Sequence, residues 1–83
     1  SLSKYSDVFV GKNGDIYYED RSGKGKIKRW LVQHNRSVDV ASFAGNCFGL
    51  FIDNNNTLYC SQRERHVVEK ISLDNSYSQP TIV

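Results

Sequence analysis

Side chains capable of nucleophilic or metal-binding chemistry are few in this chain of 83 residues. The two histidines, His34 and His66, lie far apart and outside any H-E-x-x-H motif. The two cysteines, Cys47 and Cys60, form no C-x-x-C pair, although zinc sites usually show such close spacing. The sequence also has no G-x-S-x-G motif and no glycine-rich phosphate loop. We therefore predict no metal site, no cofactor and no catalytic residue.

A pair of adjacent carboxylates and the two cysteines could still carry chemistry. Glu19 and Asp20 are adjacent carboxylates, but neighbouring residues of a strand point to opposite faces, so joint acid–base catalysis is not expected. A hairpin turn predicted at 53–56 places Cys60 opposite Gly49 or Leu50. Cys47 then lies beyond the Cα distance of about 7 Å that a disulfide tolerates. We predict that the cysteines are not bridged.

One charged cluster stands out because it also contains an aromatic residue. Its members occupy a loop and a predicted strand: Arg21, Lys24, Lys26, Lys28, Arg29 and Trp30. Such a cluster can attract phosphates and stack a base, which makes nucleic acid a possible partner. The alternative is a solvated outer strand whose lysines block edge pairing. We favour the second interpretation because the net charge of the whole chain is only +2.

Two N-x-[ST] triplets, beginning at Asn35 and Asn55, fall in predicted loops and predict possible N-glycosylation. They slightly favour an extracellular location. The apolar runs are far shorter than the roughly 18 residues of a membrane span, and residues 1–10 lack the pattern of a signal peptide. No membrane association is predicted.

The elements that position these side chains come from an internal repeat. Residues 8–18 align without a gap on residues 50–60, with identities at Phe9/Phe51, Asn13/Asn55 and Tyr17/Tyr59. Each half contains four runs rich in β-branched and aromatic residues, which predict strands at 8–10, 15–19, 26–31, 37–41, 49–52, 57–61, 66–72 and 80–83. Glycine or asparagine occupies the turns 11–14 and 53–56, as tight hairpins require. No window shows the periodicity of a helix.

The first run of each half is apolar at consecutive positions, which predicts an inner strand covered on both faces. Four antiparallel strands and a repeat in the low forties are typical of a β-propeller blade. We therefore predict an all-β fold of two four-stranded blades, residues 1–42 and 43–83. A single eight-stranded barrel or sandwich is the alternative, but it does not explain why the first and fifth strands share sequence.

The motifs at 49–53 (G-L-F-I-D), 58–61 (L-Y-C-S) and 66–71 (H-V-V-E-K-I) resemble the NHL repeat, whose blades read roughly G-I-x-V-D, N-I-Y-V-A-D and N-H-R-I-x-K-F. In the first half, 15–20, 26–30 and 37–41 are similar. Three positions depart from the family pattern: Gln62 and Gly11 stand in place of Asp, and Val67 in place of Arg.

The resemblance implies a binding platform that contacts a protein through its inter-strand loops. Some NHL propellers bind RNA on a basic face, and some peptide-amidating lyases use an NHL-like propeller with a central metal, whose histidine ligands would here belong to blades outside this chain; both remain alternatives. Because two blades leave apolar faces bare, we expect other blades as partners. They would belong either to a longer propeller, which we favour and expect to be six-bladed, or to further copies closing a ring.

Overall fold

The computed structural model describes residues 8–11, 13–20, 23–75 and 78–83, and within these ranges the chain is all-β, without a helix. The first sheet contains β1 (Val8–Val10), β2 (Ile16–Glu19), β3 (Lys26–Leu31) and β4 (Arg36–Ser42). The second contains β5 (Gly49–Ile52), β6 (Thr57–Gln62), β7 (Val67–Ser72) and β8 (Thr81–Ile82). Both sheets are antiparallel and follow chain order. The described ranges hold no helix suited to crossing a membrane.

All eight predicted strands are present, and the differences lie at their ends. Strand β7 begins at Val67 rather than at residue 66, because His66 has a φ of 56° and belongs to the preceding turn. Strand β8 begins after Pro80, which has no N–H to donate to the ladder. The glycine expected in the turn 11–14 is required by the backbone, because Gly14 has a φ of 89°, which side chains other than glycine rarely adopt.

The hydrophobic core lies between the two sheets. Its buried members are Ile27, Phe43, Cys47, Leu50, Leu58, Cys60 and Ile71. Each sheet therefore uses one face for the core. The expectation that β1 and β5 are covered on both faces is wrong within this chain, because Val8, Val10 and Phe51 are exposed.

The repeat reappears as two equivalent rows of cross-strand neighbours. In the first sheet Phe9 pairs with Tyr17, and Tyr17 pairs with Arg29; we call these three residues the first row. In the second sheet Phe51 pairs with Tyr59, which pairs with Lys70; these form the second row.

The two rows face the same way rather than toward each other. Phe9 packs against the core and Tyr17 is buried, so the first row points toward the second sheet. Phe51 is half exposed while its neighbours Leu50 and Leu58 are in the core, so the second row points away from the first sheet. The sheets are thus stacked front to back.

Candidate functional site

The two ends of the molecule differ in their connections. The turns at 11–14, 32–35 and 53–56 lie at one end, which we call the turn end, because the strands alternate in direction. The connection between the sheets, 43–48, and the turn at 63–66 lie at the opposite end, the linker end.

A cleft of about 600 Å³ opens between the sheets at the turn end. Apolar surface comes from Phe9, Tyr17 and Ile52, and polar groups come from Arg29, Asp53 and Asn54. A second cleft of about 400 Å³ shares Tyr17 and Arg29 and extends toward β4 and β7. This size and mixture of apolar and polar surface suit a ligand side chain or a short peptide segment.

Among the described residues that line the cleft, Arg29 supplies the positive charge. Its guanidinium forms an ion pair with Asp15. Its Nε donates to Asp15 Oδ2 at 2.8 Å, and its Nη2 lies 2.6 Å from the same oxygen. Burial favours a higher pKa for Asp15, but the bonds from Arg29 and from the Val32 N–H outweigh it and hold the pKa below its usual value. The guanidinium also lies 5.6 Å from the centre of the Tyr17 ring.

Tyr17 and Asp53 complete the polar chemistry of the cleft. Burial raises the pKa of Tyr17, so its hydroxyl remains a hydrogen-bond donor at neutral pH. The Asp53 carboxylate accepts the N–H groups of Thr57 and Asn55 and the hydroxyl of Tyr59. The Thr57 bond contributes most to lowering the pKa of Asp53. Both carboxylates beside the cleft therefore hold turns in place, and the arrangement favours binding over proton transfer.

The predicted basic cluster does not form one surface. Arg29 points into the cleft, whereas Lys28 and Trp30 point to the opposite face of the first sheet. Lys28 Nζ lies 3.3 Å from Asp39 and 3.9 Å from Asp20, and the hydrogen bond with Asp39 raises the pKa of Lys28. The remaining members are dispersed: Lys24 is exposed, Lys26 is half-buried, and Arg21 lies outside the described residues.

The other predicted site residues occupy separate positions. Asn35 and Asn55 are exposed in turns at the turn end, where glycosylation remains a prediction. His34 is exposed at the turn end and His66 at the linker end. Within the described part of the chain, no three His, Cys, Asp or Glu side chains are grouped to hold a metal ion.

No local sequence pattern predicts the buried role of Glu19. Its Oε2 accepts the Gly25 N–H at 2.9 Å, and its Oε1 accepts the Cys47 N–H at 3.1 Å. The carboxylate thus ties a loop of the first sheet to the linker. From the second sheet, Glu69 accepts the N–H of Ala44, and its hydrogen bond with Gln62 lowers its pKa.

The prediction that the cysteines are unbridged is wrong, because Cys47 and Cys60 form a disulfide with Cα atoms 5.1 Å apart. The prediction assumed that the chain before β5 extends away from β6. Instead Phe48 still donates to Ser61, and the linker folds inward so that Cys47 is buried beside the core face of β6. Contacts from Glu19, which is distant in sequence, support this path.

The chain matches no model of a known protein family and no curated protein. The NHL resemblance therefore remains a hypothesis, and the geometry of the cleft and of the two rows carries the functional interpretation.

Proposed function

We propose that the chain is a non-catalytic binding module, built as two blades of an NHL-like propeller, that holds a segment of a protein partner in the turn-end cleft. The composition of the cleft is the observation that supports this proposal. The cleft combines exposed apolar surface with the Arg29 guanidinium and the Tyr17 hydroxyl. An extended peptide offers matching groups, namely an apolar side chain and backbone carbonyl or carboxylate oxygens.

The front-to-back stacking of the sheets supports the propeller part of the proposal. In a sandwich of two sheets related by a two-fold axis, the equivalent rows would both face the core. Here the first row faces the core and the second faces outward. Successive blades around a propeller axis have this relation, because each blade is a rotated copy of the one before.

RNA binding receives less support from the arrangement of charge. Phosphates approaching Lys28 or Arg29 must compete with Asp39 and Asp15, which already pair with these cations. The amidating-lyase alternative would need metal ligands from blades outside this chain, since within the described residues His34 and His66 lie at opposite ends.

Selection of displayed random peptides against the folded protein tests the proposal. The selected peptides are then titrated into the Asn54→Arg variant, which places a bulky cation at the cleft, and into Asn46→Arg, which places it at the linker end. We expect Asn54→Arg to weaken binding at least tenfold and Asn46→Arg to leave it unchanged, because both side chains are exposed but only Asn54 lines the cleft.

Equal binding by both variants would contradict the cleft as the site. Nucleic acid is tested in parallel with an unstructured RNA oligonucleotide. Micromolar affinity that falls with salt, with a logarithmic slope of about −0.7 per contacted phosphate, would instead support RNA binding. The basic cluster would then be implicated if Lys26→Gln with Lys28→Gln abolished that affinity.

A further inference from the structure

Two apolar surfaces of the stacked sheets are open to solvent. The first, which we call the head face, lies on the side of the first sheet away from the core; Val8 and Val10 are exposed there, Ile16 is half-buried and Tyr18 is buried. Val10 is 61% exposed. The second, which we call the tail face, lies on the outer side of the second sheet.

The tail face contains Phe51, Tyr59 and Val68. Phe51 is 50% exposed, and its ring stacks on Tyr59 with centroids 4.6 Å apart. The ring pair thus presents an ordered aromatic surface to solvent. An exposed aromatic pair rimmed by a polar residue, here Lys70 beside Tyr59, can mark an interaction site.

Each open face is the equivalent of a face that the chain already buries. In the repeat, Phe51 and Tyr59 correspond to Phe9 and Tyr17, which face the second sheet. The tail face of the second sheet is therefore equivalent to the face of the first sheet that the second sheet covers.

The same relation holds for the head face. Val8, Val10 and Ile16 correspond, in that order, to Leu50, Ile52 and Leu58 of the second sheet. Leu50 and Leu58 belong to the buried core, and Ile52 packs against it. The chain thus carries both halves of its internal interface a second time, with Val8, Val10 and Phe51 exposed.

The sequence favours further blades of a longer chain, but the head face and the tail face of this one chain are complementary halves of the same contact. We therefore propose that a second copy of this chain docks its head face onto the tail face, and so repeats the contact between the two sheets. The proposal rests on the propeller arrangement of the proposed function but not on its peptide cleft. Val8 and Val10 of the second copy take the positions of Leu50 and Ile52, and the Phe51–Tyr59 ring pair takes that of Phe9 and Tyr17.

Continuity with the internal interface also fixes the kind of assembly. A head face on a tail face is a heterologous contact, which leaves one head and one tail free until a ring closes. Propellers close with about four to eight blades, so two to four copies of a two-blade chain complete one. We expect three copies, corresponding to the six-bladed propeller.

Sedimentation and light scattering over a concentration series test the assembly. The wild-type chain is compared with Val10→Lys on the head face, Phe51→Lys on the tail face, and Ile82→Lys as a matched control. Ile82 is similarly exposed but pairs with Glu69, and so lies on the opposite side of the second sheet from the tail face. We expect the wild type and the control to have about three times the monomer mass, and each face variant to be monomeric.

An equimolar mixture of the two face variants makes the test specific. Val10→Lys keeps its tail face and Phe51→Lys keeps its head face, so the mixture should form a one-to-one dimer and stop there. The milder substitutions Val10→Thr and Phe51→Thr are measured alongside, with circular dichroism to verify folding, so that a variant that fails to fold does not decide the result.

A monomeric wild-type chain would overturn the inference. A mixture that stays monomeric, or a wild-type dimer broken by Phe51→Lys but not by Val10→Lys, would also overturn it, because the latter result means that two tail faces meet. Peptide titration of the wild type and of Phe51→Lys keeps the two proposals apart, whereas Val10→Lys is left out of this comparison because Val10 also lines the cleft. A monomer that still binds the selected peptides contradicts the assembly and leaves the cleft intact.

Discussion

At the scale of single residues, Gly25 is the position where backbone geometry is most restrictive. Its φ is 67°, in the left-handed region, and its N–H donates to the buried carboxylate of Glu19. A Cβ at this position would come within 2.6 Å of the Gly45 carbonyl oxygen and closer still to that of Phe43. Only glycine fits, because the linker crosses directly over this residue.

We expect Gly25→Ala to lower the free energy of unfolding by about 1–3 kcal/mol from backbone strain alone, with the clash adding to this loss. The midpoint of urea unfolding measures the effect. Gly23→Ala is the control, since its Cβ would meet only the Lys26 side chain at an ordinary distance of 3.7 Å. Equal midpoints for the two variants would show that the linker does not pack on Gly25 as described.

The hydrogen bonds of Glu19 could not be predicted from the sequence. The sequence shows only that Glu19 and Asp20 are adjacent carboxylates, for which joint acid–base catalysis is not expected. The actual partners of Glu19 are two backbone N–H groups, one of them 28 positions away at Cys47. Such a partner depends on how the linker folds, and no local pattern encodes that path. The pairing of Arg29 with Asp15 is similarly non-local.

At the scale of elements, the sequence predicts the strands well because their signals are local. Runs rich in β-branched and aromatic residues locate all eight strands, and the Gly and Asn turns at 11–14 and 53–56 locate two of the hairpins. The linker at 43–48 has no such pattern. Its path depends on contacts that Glu19 and Glu69 make with residues distant in sequence, and for this reason local patterns do not predict the bridge between Cys47 and Cys60.

The disulfide should contribute substantially to the docking of the linker. Cys47 and Cys60 are 13 positions apart, and closing a loop of this size stabilises a fold by about 3 kcal/mol in the chain-entropy model. We expect reduction, or the double substitution Cys47→Ala with Cys60→Ala, to lower the urea midpoint accordingly. Reduction alone keeps the sulfur atoms in the core, so it isolates the cross-link from packing.

The intact mass before and after reduction verifies that the bridge was present. A reduced protein as stable as the oxidised one would mean that the hydrogen bonds of Glu19 and Glu69 hold the linker without the bridge.

At the scale of the whole molecule, three structural carboxylates link stability to pH. Asp15, Asp53 and Glu69 all have pKa values lowered in the folded protein by their hydrogen bonds. The unfolded chain therefore takes up protons first as the pH falls. Their contribution is present above the unfolded pKa of about 4 and disappears as the pH falls through the folded values.

We therefore expect the urea midpoint to fall progressively as the pH drops below about 5. Asp53→Asn should make this fall shallower, because it removes one of the three groups, whereas Glu64→Gln at an exposed position serves as the control. A midpoint that rises on acidification would mean that the carboxylates do not form these bonds in solution.

The turn end and the linker end would lie on opposite sides of the proposed ring, which affects how tightly a partner with several binding segments is held. In an assembly made by rotation about one axis, every turn end lies on one side of the ring and every linker end on the other. The clefts of all copies, together with Asn35 and Asn55, would then share one side, so a partner with several binding segments could engage them at once. Each cleft could bind weakly while the ring binds tightly, because the second and third contacts form at high effective concentration.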